Sequence, residues 1–90
     1  MIKTPPLISV LIPVYNAENF LKKCLDSVLQ QTYKNLKIIC IDDASTDKSL
    51  DVLKQYAKKD YRIKIVVMKK NLGENLIRRE CIKHIDGEYF

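Results

Sequence analysis

Three short aliphatic runs, separated by amphipathic stretches of helical period, constrain this chain more than anything else in it. The runs are "LISVLIPV" at residues 7–14, "LKIICI" at 36–41 and "RIKIVVM" at 62–68. Each is rich in β-branched residues, and the first two lack the polar alternation of a strand with one wet face. Between them, Ala17, Phe20, Leu21, Cys24, Leu25, Val28 and Leu29 recur at helical spacing, as do Leu50, Leu53, Tyr56 and Ala57. Leu76, Ile77, Cys81 and Ile85 repeat the pattern before Asp86-Gly87, and "EYF" then reads as the start of a fourth strand. The order β-α-β-α-β-α, with short links, predicts an α/β fold. It is a three-layer parallel sheet, Rossmann-like, incomplete at its C-terminus, with right-handed crossovers. Ninety residues make one domain, 1–90.

Local chemistry refines the boundaries. Pro13 has no N–H to give a ladder and should mark the end of its strand. Asn16 is the expected N-cap of the first helix, and Thr46 or Asp47 that of the second. The three cysteines, Cys24, Cys40 and Cys81, form no C-x-x-C pair and sit in apolar periodic segments, so reduced, buried thiols are expected.

The net charge of +5 permits anionic partners. The lysines, however, are scattered as Lys22-Lys23, Lys34, Lys37, Lys58-Lys59 and Lys69-Lys70, and no aromatic residues interleave with a basic stripe. Nucleic acid is therefore not an expected partner. No apolar stretch is long enough to span a bilayer, and the first residues lack a signal-peptide layout. There is no P-loop, no G-x-G-x-x-G and no nucleophile elbow.

Parallel sheets bind ligands beyond the carboxyl ends of their strands. Three loops fall there: "PVYNAE", "DDASTD" and "KKNLGEN". Together they would gather Tyr15, Asn16, Asp42, Asp43, Ser45, Asn71, Gly73 and Arg78. Neighbouring residues at a strand end point to opposite faces, so Asp42 and Asp43 should do different jobs. One can hold the turn through backbone N–H groups. The other can face the cleft and accept a hydrogen bond from N3–H of uracil or thymine, where cytosine offers only an acceptor. Guanine also carries N–H donors and is not excluded. Tyr15 could stack on such a base, for roughly 1–3 kcal/mol. The plainer alternative makes Asp42-Asp43 turn residues and Ser45, Thr46 and Asp47 caps. A phospho-acceptor receiver domain is disfavoured, because its acid pair ends the first strand and this one ends the second.

Taken as an ordered set, these motifs resemble the family 2 glycosyltransferases of GT-A fold. The resemblance runs from "ISVLIPVYNAENFLKKCLDSVLQQTY" through "LKIICIDDASTDKSLDVLKQYA" to "NLGENLIRRECIKHIDGEYF". It implies that Pro13, Val14 and Tyr15 lie along the nucleotide, with Tyr15 against the base. It gives the base N3–H to Asp43, with Asp42 its partner in the motif, and places Ser45 in the same binding loop. The family often has Gly where Ala44 stands. In its N-x-G-x-x-x-A-R-N segment, Asn71, Gly73 and Arg78 match, with Arg78 serving phosphate or loop support. Ile77, Arg79 and Cys81 depart from that pattern.

The implied function is donor binding for an inverting glycosyltransferase. A sugar would pass from a nucleotide-diphosphate donor, UDP-sugar foremost, to a glycan or lipid-linked acceptor in bacterial-type cell-surface polysaccharide synthesis. The implied cofactor is Mg²⁺ or Mn²⁺, with the metal carboxylates and catalytic base expected downstream of Phe90. A cytoplasmic location, at the inner face of the membrane, is expected, with peripheral membrane association. Self-association through an open sheet edge is expected too. The rival reading is a non-catalytic nucleotide-binding module.

Overall fold

The computed structural model of the chain describes residues 6–83 and 88–89, without the side chains of residues 74, 75, 78, 81, 88 and 89. Four parallel strands make one sheet in the order β3-β2-β1-β4. They are β1 (Ile8–Val14), β2 (Leu36–Asp42), β3 (Ile63–Val67) and the short β4 (Glu88–Tyr89). The helices between them are α1 (Glu18–Leu29), α2 (Ser49–Lys59) and α3 (Glu74–Ile82).

β2 is buried from end to end except for the half-covered Lys37, which explains its unbroken aliphatic sequence. Its side chains divide by parity. Leu36, Ile38 and Cys40 join Leu21, Leu25, Val52 and Leu53 under α1 and α2. Ile39 and Ile41 meet Ile77 of α3 on the opposite face. Helices thus cover both faces, and the direction of winding reverses after β3. The reversal leaves a crevice at the carboxyl ends of the central strands.

The sheet ladder persists to that edge. Val14 pairs in register with Asp42. The Asp43 N–H then donates to the Val14 carbonyl at 2.8 Å, and the Met68 N–H to the Asp42 carbonyl at 2.9 Å. Pro13 lies inside β1 rather than beyond it. The even-numbered residues of β1 turn their backbone groups toward β2, as Ile8 N–H and the Val14 carbonyl show. Pro13, being odd, turns its missing donor the other way, where the described pairing with β4 stops at Ser9.

Two expectations about burial are corrected. Phe20 is 75% exposed, and Cys24 is exposed rather than buried. At about 100° per residue, both fall on one flank of the buried Leu21–Leu25 line. Asp26, which meets α2 through Tyr56, falls on the other flank. The apolar stripe of α1 is wider than the sheet needs, and the flank turned away from α2 stays open. Cys40 is buried as expected. The side chain of Cys81, residues 84–87 with the expected helix end and Ile85, and Phe90 lie outside the described residues.

Candidate nucleotide-binding site

A cavity of about 370 Å³ opens at the crevice, lined by Pro13, Val14, Tyr15, Asp43, Asn71, Gly73 and Ile77. The volume lies in the range of small-ligand sites. All three carboxyl-edge loops contribute. Pro13 and Val14 supply the end of β1, and Tyr15, 52% exposed, presents its ring to solvent and cleft.

The two aspartates part as the strand pleat requires. Asp42 shares the parity of Cys40 and turns toward the α1–α2 side. It is 2% exposed, and its Oδ2 accepts from the Ser45 N–H at 3.2 Å. Its Oδ1 is buried with no hydrogen-bond partner among the described residues. Asp43 turns to the α3 face and lines the cavity. Its Oδ1 accepts from Leu72 N–H at 2.7 Å and its Oδ2 from Gly73 N–H at 3.1 Å. Asn71 Nδ2 donates to the Asp43 carbonyl at 3.2 Å. The carboxylate therefore sits at the start of α3, where a negative charge is favoured by the helix dipole. Each oxygen keeps a lone-pair position for a ligand donor.

Two loop conformations need positive φ. Gly73 has φ +81°, and a Cβ there would meet nothing within 4 Å, so its backbone conformation rather than space calls for glycine. Ala44, between the aspartates and Ser45, has φ +59° despite its Cβ.

Asn16 is not the N-cap of α1. That position belongs to Ala17, and Asn16 adopts φ +48°. Its side chain instead reaches into the second loop. Asn16 Oδ1 accepts from Thr46 N–H at 2.7 Å and Asp47 N–H at 3.3 Å, and the Thr46 hydroxyl lies at 3.3 Å. The start of α1 is satisfied in return by that loop. Asn16 N–H donates to Ser45 Oγ at 3.0 Å, Ala17 N–H to Ser49 Oγ at 2.8 Å and Glu18 N–H to Asp47 Oδ2 at 3.2 Å. Asp47 Oδ1 also accepts from Ser49 N–H at 2.9 Å at the head of α2. Hydrogen bonds from Ser49, foremost, hold the Asp47 carboxyl below the ordinary aspartate value.

Of the residues expected at the site, Pro13, Val14, Tyr15 and Asp43 come together in the cavity. Asn71 and Gly73 join them. Asp42 and Ser45 do not line it; they stand behind the loop, one under its backbone and the other against Asn16. Arg78 lies on α3, and its side chain is outside the described residues. Sequence reasoning missed the paired N–H donors on Asp43 and the reciprocal ties between the first two loops. Only the Asp47-Lys48-Ser49 turn has a local signature, a carboxylate two residues before the N–H it accepts.

Among the described residues, no group of three or more His, Cys, Asp or Glu side chains is placed to hold a metal ion. Among them, too, Asp43 is the one acid lining the cavity, and both its oxygens already serve backbone N–H groups.

A parallel sheet with helices on both faces and a cavity where its winding reverses defines an open α/β protein. More narrowly, the chain belongs to the Glycosyl transferase family 2, whose family model matches residues 9–90. It is 45% identical over 85 residues to the poly(ribitol-phosphate) beta-glucosyltransferase of Bacillus spizizenii, covering 91% of this chain and 13% of that protein. The structure of S. aureus TarS 1-349 in complex with UDP-GlcNAc superposes with a TM-score of 0.82 at 27% identity, over 90% of this chain and 24% of that one. The mannosyltransferase PcManGT of Pyrobaculum calidifontis, solved with GDP-Man and Mn²⁺, has the same fold. Its TM-score is 0.85 at 23% identity, over 93% of this chain and 26% of its own. The chain thus spans about a quarter of these solved chains and a smaller share of that relative. The expected α/β parallel sheet is observed, and it matches the GT-A glycosyltransferases over about a quarter of their chains.

Proposed function

We propose that this chain forms the donor-nucleotide portion of an inverting glycosyltransferase. It takes a UDP-sugar and serves transfer to a glycan or lipid-linked acceptor at the cytoplasmic face of the membrane. The observation that carries the proposal is one cavity lined by both an aromatic plate, Tyr15, and a carboxylate, Asp43. Pro13 and Val14 form its floor along the nucleotide. The Tyr15 ring stacks on the base, and Asp43 accepts its N3–H. Asp42 and Ser45 act from behind by shaping the loop, and Arg78 answers the diphosphate. The UDP-GlcNAc complex of TarS supports a uridine donor.

In the transfer itself, an acceptor hydroxyl attacks the anomeric carbon in line with the departing diphosphate, and a carboxylate base takes its proton. A divalent cation, Mg²⁺ or Mn²⁺, when bound, offsets charge on the leaving group; the Mn²⁺ of PcManGT supports that choice. The described residues offer no ligand set for it, so none of them is assigned to the ion. What this chain does is bind and orient the donor.

Calorimetric titration with UDP and CDP tests the reading. Uracil presents N3–H to Asp43, whereas cytosine presents a lone pair to a carboxylate. UDP should bind at least about tenfold more tightly than CDP, and Asp43→Asn should erase most of the difference. Equal affinities for the two nucleotides, or no UDP binding, would overturn it.

A further inference from the structure

The ring and the carboxylate that would clasp a base come from different strands. Tyr15 follows β1 and Asp43 follows β2. On the strand side, the Asp43 N–H to Val14 carbonyl bond fixes one end of the Tyr15 backbone. On the helix side, the next residue, Asn16, is held in the left-handed region by bonds from both its backbone and its side chain to Ser45, Thr46 and Asp47. One residue further out, Asp47 and Ser49 take the first N–H groups around the start of α1. None of these residues except Val14, Tyr15 and Asp43 lines the cavity.

From this lattice we infer that Asn16 and Asp47 are positioning residues. They set the distance between the Tyr15 ring and the Asp43 carboxylate, and so the affinity for the nucleotide base, without touching the ligand. The inference rests on the proposed uridine site. The second loop carries both members of the arrangement: Asp43 at its start receives the base, and Ser45 to Asp47 draw the Tyr15 loop toward it. The Asn16 side chain accepts from Thr46 and Asp47 of the second loop and not from α1, so its bonds join the two loops that supply the site.

Asn16→Gly isolates the device. Glycine accepts the left-handed backbone freely, so the variant removes the side-chain acceptor without adding strain. Binding of UDP to the purified chain should weaken by about fivefold or more. In a Tyr15→Ala background the same change should have almost no further effect, because residues acting through one another are not additive. Asn16→Asp, which keeps the acceptor and tolerates the same backbone, should retain affinity, and Asp47→Ala should behave as Asn16→Gly does. If Asn16→Gly fails to fold, the comparison of Asp47→Asn with Asp47→Ala, each with and without Tyr15, carries the same test. Lowered thermal stability with unchanged UDP affinity, or losses that simply add to that of Tyr15→Ala, would overturn the inference. Absence of UDP binding in the unsubstituted chain would instead overturn the uridine reading on which it rests.

Discussion

Ala44 holds a conformation that its own side chain opposes. With φ at +59°, it sits where an L-residue with a Cβ is disfavoured by roughly 1–2 kcal/mol, and glycine is not. Ala44→Gly should therefore raise stability by about 0.5–1 kcal/mol, after subtracting the extra freedom glycine brings to the unfolded chain. A shift of the urea midpoint at constant slope would register it, and a lower midpoint would refute it. Gly73→Ala runs the other way, costing about 1 kcal/mol through backbone strain alone. The division of labour between Asp42 and Asp43 is legible in the sequence, because strand parity sends neighbours to opposite faces. What the sequence does not reveal is that Asp43 carries two backbone N–H groups from a loop 29 and 30 residues away. No local spacing encodes such a tie. Asn16 misleads for a related reason. An Asn before a helix reads as a cap, yet tertiary partners draw it elsewhere.

Among the elements, the three long strands and three helices are visible from period alone, and their limits differ from that reading by a few residues. Fine burial is harder to see. Val52 is buried although the helical spacing of α2 points to Leu50, and Phe20 is exposed, because a helix on a sheet buries a narrower arc than its apolar residues occupy. The contact between α1 and α2 includes a hydrogen bond from the Tyr56 hydroxyl to Asp26 at 2.7 Å, which raises the phenol above its ordinary 10.0. Acid acts on other ties. Asp47, through Ser49 and neighbouring N–H groups, and Asp60, through the Arg62 guanidinium 2.9 Å away, both titrate below the ordinary 3.8. A carboxyl whose folded value is depressed adds stability above its unfolded value and loses it as pH falls toward the folded one. The urea midpoint should hold steady above about pH 5 and drop progressively below 3.8. Asp60→Asn should flatten that acid limb, and an unchanged limb would show that the Arg62 pair does not matter to folding.

At the scale of the whole molecule, the three loops of the carboxyl edge are one hydrogen-bonded unit, with the second loop tied to both others. A nucleotide that touches all three should tighten this unit as a whole rather than a single loop. At about one hundred times its dissociation constant, UDP should add about 2.7 kcal/mol. Slowed amide exchange should appear at Tyr15, Asn16, Leu72 and Gly73. No such protection is expected at Lys34 or Tyr61, on the opposite edge. Protection at the opposite edge, or none at the loops, would place the ligand elsewhere.

The pleat of β2 has one more implication. Because Asp42 and Asp43 occupy successive positions on a strand whose two sides are both sealed, gaining or losing a single residue within 36–42 would exchange them. The carboxylate that lines the cavity would be entombed beneath α1 and α2, and the one behind the loop would be thrust into the opening. Chain length in that strand is thus under the same constraint as the acids themselves, and natural variation in this segment should proceed by replacement and never by insertion.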